Sequence, residues 1–207
     1  SSLNDIRKAL GIRSDREFRL TRNYRNTRPI AALAARFFCG LPTGIPKPPR
    51  RDGEVPELIE TGSLNEAVER IVNYVKLHEN EEVGVIVTSD RVRKRYYNRL
   101  SARLAGHPKV SVQTYSSYRK DPWSDTGRFS FEDPGVVTLL NKQIGKCLEF
   151  DAVFLPELQD YSIVPGEVDQ FRMEMYVMIS RARERLFLLY TREPGAPVPS
   201  MLEHFES

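Results

Sequence analysis

The chain has 207 residues, with 31 basic against 28 acidic side chains and a formal net charge of +3. This length is sufficient for one domain with its own apolar core, and the charge excess is too small to indicate a nucleic-acid partner by itself. The two cysteines are far apart, the three histidines lack metal-ligand spacing, and no apolar run could cross a bilayer. Since a signal peptide is also lacking, we expect a cytoplasmic protein, nucleoid association included, with no metal site and no membrane contact.

Helix-like and strand-like segments alternate along the first half of the chain. In chain order they predict a strand at 17–21, a helix at 28–38 capped by Thr27, a basic Pro-rich loop at 40–53, a strand at 55–61 and a helix from 64 to 78 that is capped by Ser63. In the second helix the apolar positions share one face, which predicts that this face packs on a sheet: Leu64, Val68, Ile71, Val72 and Val75.

The second half continues the alternation. The patterns predict a strand at 83–89, a helix at 91–106 capped by Asp90, a strand at 109–115, a polar loop at 116–134, strands at 135–140 and 152–158, a helix at 169–184 and a strand at 185–191. The first of these strands is apolar throughout, which is typical of a strand buried on both faces.

This alternation predicts a three-layer α/β/α fold with a mainly parallel sheet, formed as a single domain over residues 1–207. In such folds ligands usually bind at the carboxyl ends of the strands. We therefore expect functional residues after the strand segments that end near Thr88, Leu140 and Pro156.

A Gly-Lys pair at Gly145 and Lys146 resembles part of a phosphate-binding loop. The complete loop would also need a glycine at position 140 and a hydroxyl residue at position 147, where this chain has Leu140 and Cys147. Because the spacing fails, we expect that the chain alone neither binds nor hydrolyses a nucleoside triphosphate.

Three stretches together resemble the UvrD/Rep-type superfamily-one helicases. "LTRNYRNTRPIAALAARFF" (20–38) is similar to their NYR-S/T motif IV, "VVTLLNKQIGKCLEFDAVFLPEL" (136–158) to motif V, and "EMYVMISRARERLFLLYT" (174–191) to motif VI. The three occur in the order of the family and cover nearly the whole chain. The resemblance implies a RecA-like domain, the second of the two motor domains, in a chain that would be a piece of a longer protein.

The resemblance also implies an ATP site, with Mg²⁺, that is shared with an N-terminal ATPase domain absent from this chain. Tyr24 would stack on the adenine and Arg25 would reach the γ-phosphate. Glu149 would contact the ribose side, and Arg181 would act as the arginine finger. The implied function is that of an ATP-dependent DNA helicase or translocase on single-stranded or partly duplex DNA, or on RNA.

Motif V departs from the family pattern, with Asn141, Gln143 and Cys147 in place of Thr, His and Gly. Asn141, Gln143 and Lys146 would be its nucleic-acid contacts. These departures leave open an alternative, a degenerate non-catalytic module that binds nucleic acid or a protein partner. A self-sufficient flavodoxin-like nucleotide enzyme also fits the α/β pattern but lacks a phosphate loop.

A basic stripe is independent of the resemblance. Arg91, Arg95, Arg99 and Arg103 recur every four residues, and Asp90 is the one nearby acid that offsets them in the sequence. We expect the first three to contact a nucleic-acid backbone, against the alternative of a solvated helix face. Separately, "PKPPRR" (46–51) fits the PxxPxR ligand of an SH3-type groove.

Overall fold

The computed structural model describes residues 22–40, 44–115, 133–145, 148–161, 163 and 166–206. The predicted strand at 17–21 and most of the predicted loop at 116–134 lie outside these residues. The helices are α1 (Arg28–Arg36), α2 (Leu64–Leu77), α3 (Asp90–Leu104), α4 (Val168–Ile179) and the short α5 (Glu203–Glu206). The strands are β1 (Glu57–Thr61), β2 (Val83–Val87), β3 (Ser111–Thr114), β4 (Val136–Asn141), β5 (Phe150–Leu155) and β6 (Ala182–Thr191).

Within the described residues, the strands form one six-stranded sheet in the order β1-β6-β5-β2-β4-β3, and every pairing is parallel. Helices α1 and α4 cover one face, and helices α2 and α3 cover the other. The predicted three-layer, parallel α/β architecture is therefore confirmed. β2 lies near the centre and all five of its residues are buried, as its continuous apolar run predicts.

Helix α2 follows its sequence pattern closely. Ser63 caps it by accepting a hydrogen bond from the Glu66 backbone N–H at 3.2 Å. Its buried positions include four of the five predicted apolar residues, and Ala67 joins them. The amphipathic pattern thus defines both the helix and the face that packs on the sheet.

Two predicted caps differ from the structure. The cap of α3 is Ser89, whose hydroxyl accepts from the Val92 N–H at 3.4 Å, whereas Asp90 is the first helical residue. Thr27 occupies the cap position of α1, but its hydroxyl makes no capping bond. That residue is fully buried and its N–H donates instead to the Arg183 carbonyl at 3.2 Å, because the segment is fixed by contact with β6.

The prediction for 169–184 is wrong at its carboxyl end. Helix α4 ends at Ile179, and residues from Ala182 onward belong to β6, where Ala182 pairs with Phe150. Arg183 therefore lies in a strand and not near the end of a helix, and Arg185 lies in a strand as predicted. Pairing with β5, together with ion pairs at both arginines, overrides the helical preference of this charged stretch.

Candidate functional site

A tight turn before α1 presents two of the predicted site residues to solvent. The Asn23 side-chain oxygen accepts from the N–H groups of Arg25 at 2.9 Å and Asn26 at 3.2 Å, which is the local bonding by which asparagine stabilises a turn. Asn26 is 1% exposed, and its amide donates to the carbonyls of Ser180 and Ala182. Tyr24, between the two asparagines, is 77% exposed.

The turn lies at the amino edge of the sheet, beside the starts of β5 and β6. Glu149 directly precedes β5, and its carboxylate forms an ion pair with Arg25 at 2.5 Å. Arg181 directly precedes β6, and its carbonyl accepts the Phe150 N–H at 3.0 Å. Because β5 and β6 are parallel neighbours, the residues that precede them lie side by side. The structure thus brings together Tyr24, Arg25, Glu149 and Arg181 from three distant parts of the sequence.

The Arg181 guanidinium lies against the end of α4. Its Nε donates to the Val177 carbonyl at 3.0 Å and its Nη2 to the Ser180 hydroxyl at 3.3 Å. The first bond is to a carbonyl group at a helix terminus, where positive charge is favourable. The arginine is therefore oriented by the helix and only partly buried.

Arg183 and Arg185 lie at the same edge but are engaged by acids. Arg183 pairs with Glu82 at 2.5 Å and Asp151 at 3.5 Å. Arg185 pairs with Glu81 at 2.7 Å, and the hydrogen bonds that it donates to Tyr74 and Glu54 raise its pKa above the ordinary value. Both arginines thus hold the starts of strands together, and neither is available to an anion without breaking these pairs.

The opposite, carboxyl edge carries described residues of the stretch that resembles motif V. Asn141 ends β4 and is 5% exposed; its side-chain oxygen accepts from the N–H groups of Gln143 and Ile144, and its amide donates to Asp90 at 2.9 Å. Asn141 therefore shapes the turn that follows β4. Gln143 is exposed at that turn. Lys146 and Cys147 lie outside the described residues.

The expectation that functional residues follow the carboxyl ends of strands holds for Asn141 and Gln143 but not for Glu149. Asn141 is at the carboxyl end of β4, and Glu149 is at the amino start of β5. The two strands run in the same direction, so the end of β4 and the start of β5 lie at opposite edges of the sheet. The predicted residues accordingly divide into two groups at opposite edges.

The basic stripe on α3 also divides. Arg91 and Arg95 are exposed. Arg99 donates to the Asn65 side chain at 3.0 Å, and Arg103 forms an ion pair with Glu69 on α2. The expected partner of the stripe, Asp90, instead pairs with Arg93 at 3.1 Å. The sequence could not reveal Glu69 as an offsetting acid, because it approaches only after α2 and α3 pack together.

A cleft of about 430 Å³ opens near the carboxyl ends of β2 and β4. Its lining includes Asp160, Glu167 and Glu174 against Lys142, which pairs with Glu174 at 2.6 Å. Partial burial, and then the nearby Glu157, raise the pKa of Asp160. With three carboxylates and one paired ammonium, the cleft itself repels phosphate.

Three side chains at the amino edge are functional candidates that sequence reasoning missed. Asn26 and Arg51 hold backbone carbonyls of the site segments, and Arg183 joins β5, β6 and the start of β2. In the sequence, the two asparagines on either side of Tyr24 could have pointed to Asn26. Nothing in the sequence distinguished Arg51 from its exposed neighbour Arg50.

Across the described ranges, no cluster of three or more His, Cys, Asp or Glu side chains could hold a metal ion. In the same part of the chain, every helix is too short or too polar to cross a membrane.

The comparisons with known proteins concern the fold. No family model and no curated protein matches the chain. The C-terminal domain of a possible DNA helicase from Lactobacillus plantarum WCFS1 is similar in structure, with a TM-score of 0.56 and 20% identity over 83% of this chain and 91% of that chain. This likeness confirms the RecA-like α/β fold.

Two arterivirus structures also match, with lower scores. Nonstructural protein 10, a helicase, in complex with DNA gives a TM-score of 0.42 and 17% identity, covering 81% of this chain and 41% of that chain. Another structure of nonstructural protein 10 (helicase) gives 0.45 and 15% identity, covering 86% of this chain and 35% of that one. Scores this low add nothing to the fold assignment.

Proposed function

We propose that this chain is the second motor domain of a UvrD-like, ATP-dependent DNA helicase or translocase and supplies half of an ATP site. The observation that carries the proposal is the convergence of Tyr24, Arg25, Glu149 and Arg181 at one edge of the sheet. These four residues come from the three stretches that resemble the family motifs. Glu149 and Arg181 meet because β5 and β6 are neighbours, whereas strand pairing does not require the ion pair between Arg25 and Glu149 that joins the third stretch to them.

The residues fit the chemistry of a nucleotide. Tyr24 offers an exposed aromatic face for an adenine, and Arg25 and Arg181 offer planar, permanently charged forks for phosphate oxygens. In phosphoryl transfer, catalysis depends on positive charge placed where the equatorial oxygens gain negative charge. In this proposal Arg181 is the arginine finger, and Arg25 leaves its ion pair with Glu149 to reach the γ-phosphate while Glu149 turns to the ribose.

The half-site needs a second domain to hold the triphosphate and Mg²⁺, because this chain carries no phosphate-binding loop. Closure of the two domains would bring the arginines onto the nucleotide. Hydrolysis would then depend on closure, which is how a motor couples ATP turnover to movement along a strand.

The proposal extends to nucleic acid at the other edge. Arg91 and Arg95 are exposed on the first turns of α3, and Gln143 is exposed at the turn after β4. Arginines along one helix can follow a phosphate backbone. In this proposal single-stranded DNA, or RNA, runs past these residues and beside the acidic cleft.

The first prediction concerns Arg181. In the protein that carries both motor domains, we expect Arg181→Ala to lower the kcat for ATP hydrolysis by on the order of 10³-fold, because an arginine finger acts mainly on the transition state. ATP binding, measured by equilibrium titration, should change only a few-fold. Arg192→Ala is the matched control, since Arg192 pairs with Glu60 at the opposite end of β6.

Two outcomes would contradict this assignment. Unchanged turnover in Arg181→Ala would remove the arginine finger, and ATP hydrolysis by the purified 207-residue chain alone would remove the shared site. Loss of activity in Arg192→Ala as well would indicate a general folding defect, which a thermal unfolding measurement would identify.

A degenerate module that binds nucleic acid or protein without hydrolysis is the second candidate. The internal bonding of Asn141 and the acidic cleft beside it favour this candidate, because both differ from an open phosphate-binding edge. The coding region upstream distinguishes the two. A phosphate-binding loop followed by an acidic Walker B segment supports the motor, and their absence supports the module.

A further inference from the structure

The Pro-rich stretch that resembles an SH3 ligand is folded back onto the domain. Residues 47–54, here called the strap, run along the amino edge of the sheet. At its start the Lys47 carbonyl accepts the Asn23 N–H at 2.9 Å, and at its end Glu54 pairs with Arg185 at 3.2 Å. Pro49 is buried between these points. A bound SH3 domain would need Pro49 exposed, so the structure does not support the ligand interpretation.

Arg51 is the side chain that joins the strap to the site segments. Its Nη2 donates to the Arg25 carbonyl at 2.7 Å and to the Arg183 carbonyl at 2.8 Å. Its Nη1 forms an ion pair with Glu184. One guanidinium nitrogen therefore links the backbone of the turn that carries Arg25 to the backbone of β6, two residues beyond Arg181.

The backbone of the strap repeats the same connection. The Arg51 carbonyl accepts the Arg28 N–H at 2.8 Å, at the first residue of α1. Gly53 lies so close to Thr27 that a β-carbon there would be 2.4 Å from the Thr27 methyl carbon. The strap and the turn are thus packed without space for a side chain between them.

We propose that Arg51 is a positioning residue that fixes the Arg25 segment relative to the Arg181 segment. This inference rests on the proposed function, in which Arg25 and Arg181 both contact the phosphates of one nucleotide. A planar fork holds acceptors in a fixed arrangement, which a flexible ammonium cannot do. In this proposal Arg51 does not touch the nucleotide. It acts only through its hydrogen bonds to the backbone carbonyls of Arg25 and Arg183.

The first part of the test uses the 207-residue chain itself. Hydrogen exchange followed by NMR would measure the Thr27 amide, which donates to Arg183, and the Arg28 amide, which donates to the strap. In Arg51→Ala we expect both amides to exchange at least about tenfold faster, since the side chain that closes this contact is gone. Arg50→Ala is the matched control, because Arg50 is exposed and takes part in none of these bonds.

The second part uses the protein that carries both motor domains. We expect Arg51→Ala and Arg51→Lys to lower the kcat for ATP hydrolysis about tenfold while the KM for ATP stays within about twofold, because misplaced arginines weaken transition-state contacts more than ground-state binding. Arg51→Lys keeps the charge and the alkyl stem and guards against a simple loss of folding. A residue that only stabilises the fold would lower the melting temperature without this division between kcat and KM.

The outcomes separate the two proposals. Unchanged amide exchange, or faster exchange with an unchanged kcat, would overturn the role of Arg51 while Arg181→Ala still abolished hydrolysis. Full activity in Arg51→Lys would show that charge suffices and would also overturn the role of the fork. Unchanged hydrolysis in Arg181→Ala would remove the proposed function, and the positioning role would fall with it.

Discussion

At the residue scale, the turn that carries Tyr24 and Arg25 depends on one buried amide. Asn26 is 1% exposed and satisfies two carbonyls at the junction of α4 and β6, those of Ser180 and Ala182. A buried acceptor that loses its donor retains its full desolvation cost. The placement of an exposed site thus depends on a side chain that is itself hidden.

We therefore predict that Asn26→Ala destabilises the chain by about 1–3 kcal/mol, and that Asn26→Asp destabilises it at least as much, because a carboxylate would face two carbonyl oxygens. Urea unfolding followed by circular dichroism measures both. Asn98→Ala, at an exposed position of α3, is the control. Equal stability of wild type and Asn26→Asp would show that the two carbonyls do not need this donor.

At the element scale, a glycine in β2 determines how the first residue of the neighbouring strand β5 packs. The strand is buried on both faces and pairs with β4 and β5. Gly84 lies at its second position beneath the ring of Phe150, the first residue of β5. Because Gly84 has no side chain, the Phe150 ring can pack against the backbone there, and Phe150 directly follows Glu149.

We predict that Gly84→Ala destabilises the chain by about 1–3 kcal/mol through overpacking, because the new β-carbon would lie 2.3 Å from a ring carbon of Phe150. Gly62→Ala is the control, since its β-carbon would first meet a Glu66 oxygen at 3.5 Å. Thermal unfolding of the two variants checks the difference. A melting temperature for Gly84→Ala equal to that of Gly62→Ala would mean that the ring moves without cost.

At the scale of the whole molecule, the two edges of the sheet carry different chemistry. The amino edge holds the predicted nucleotide residues, and the carboxyl edge combines exposed arginines of α3 with an acidic cleft. A net charge of +3 hides this separation, because ion pairs neutralise Arg103, Arg183 and Arg185. Binding of a polyanion would thus depend on a few exposed arginines, Arg91 and Arg95 among them.

We predict that the double variant Arg91→Gln/Arg95→Gln binds single-stranded DNA about tenfold more weakly and lowers the slope of log K against log salt by about 1.4, or about 0.7 for each lost phosphate contact. Fluorescence anisotropy with a labelled oligothymidylate measures both quantities. Arg103→Gln should change neither, since that arginine is paired with Glu69. An unchanged salt slope in the double variant would place the DNA elsewhere.

The sequence by itself determined the class of fold. Apolar runs at the period of a strand and amphipathic runs at the period of a helix are local properties, so β2, α2 and the parallel three-layer arrangement followed from them. The spacing around Gly145 and Lys146, which excludes a phosphate-binding loop, is also a local property of the sequence. The three stretches that resemble helicase motifs also predicted that Tyr24, Arg25, Glu149 and Arg181 belong to one site.

Tertiary structure alone decided which edge of the sheet these residues occupy and which arginines are engaged. Arg183 belongs to a strand because β5 pairs with Ala182 and Arg185 on either side of it, and Arg103 is neutralised because α2 packs beside α3. Arg51 acquires its contacts because the strap folds back onto β6. Each of these outcomes depends on partners more than 30 residues away in the chain, and a local pattern contains no information on such partners.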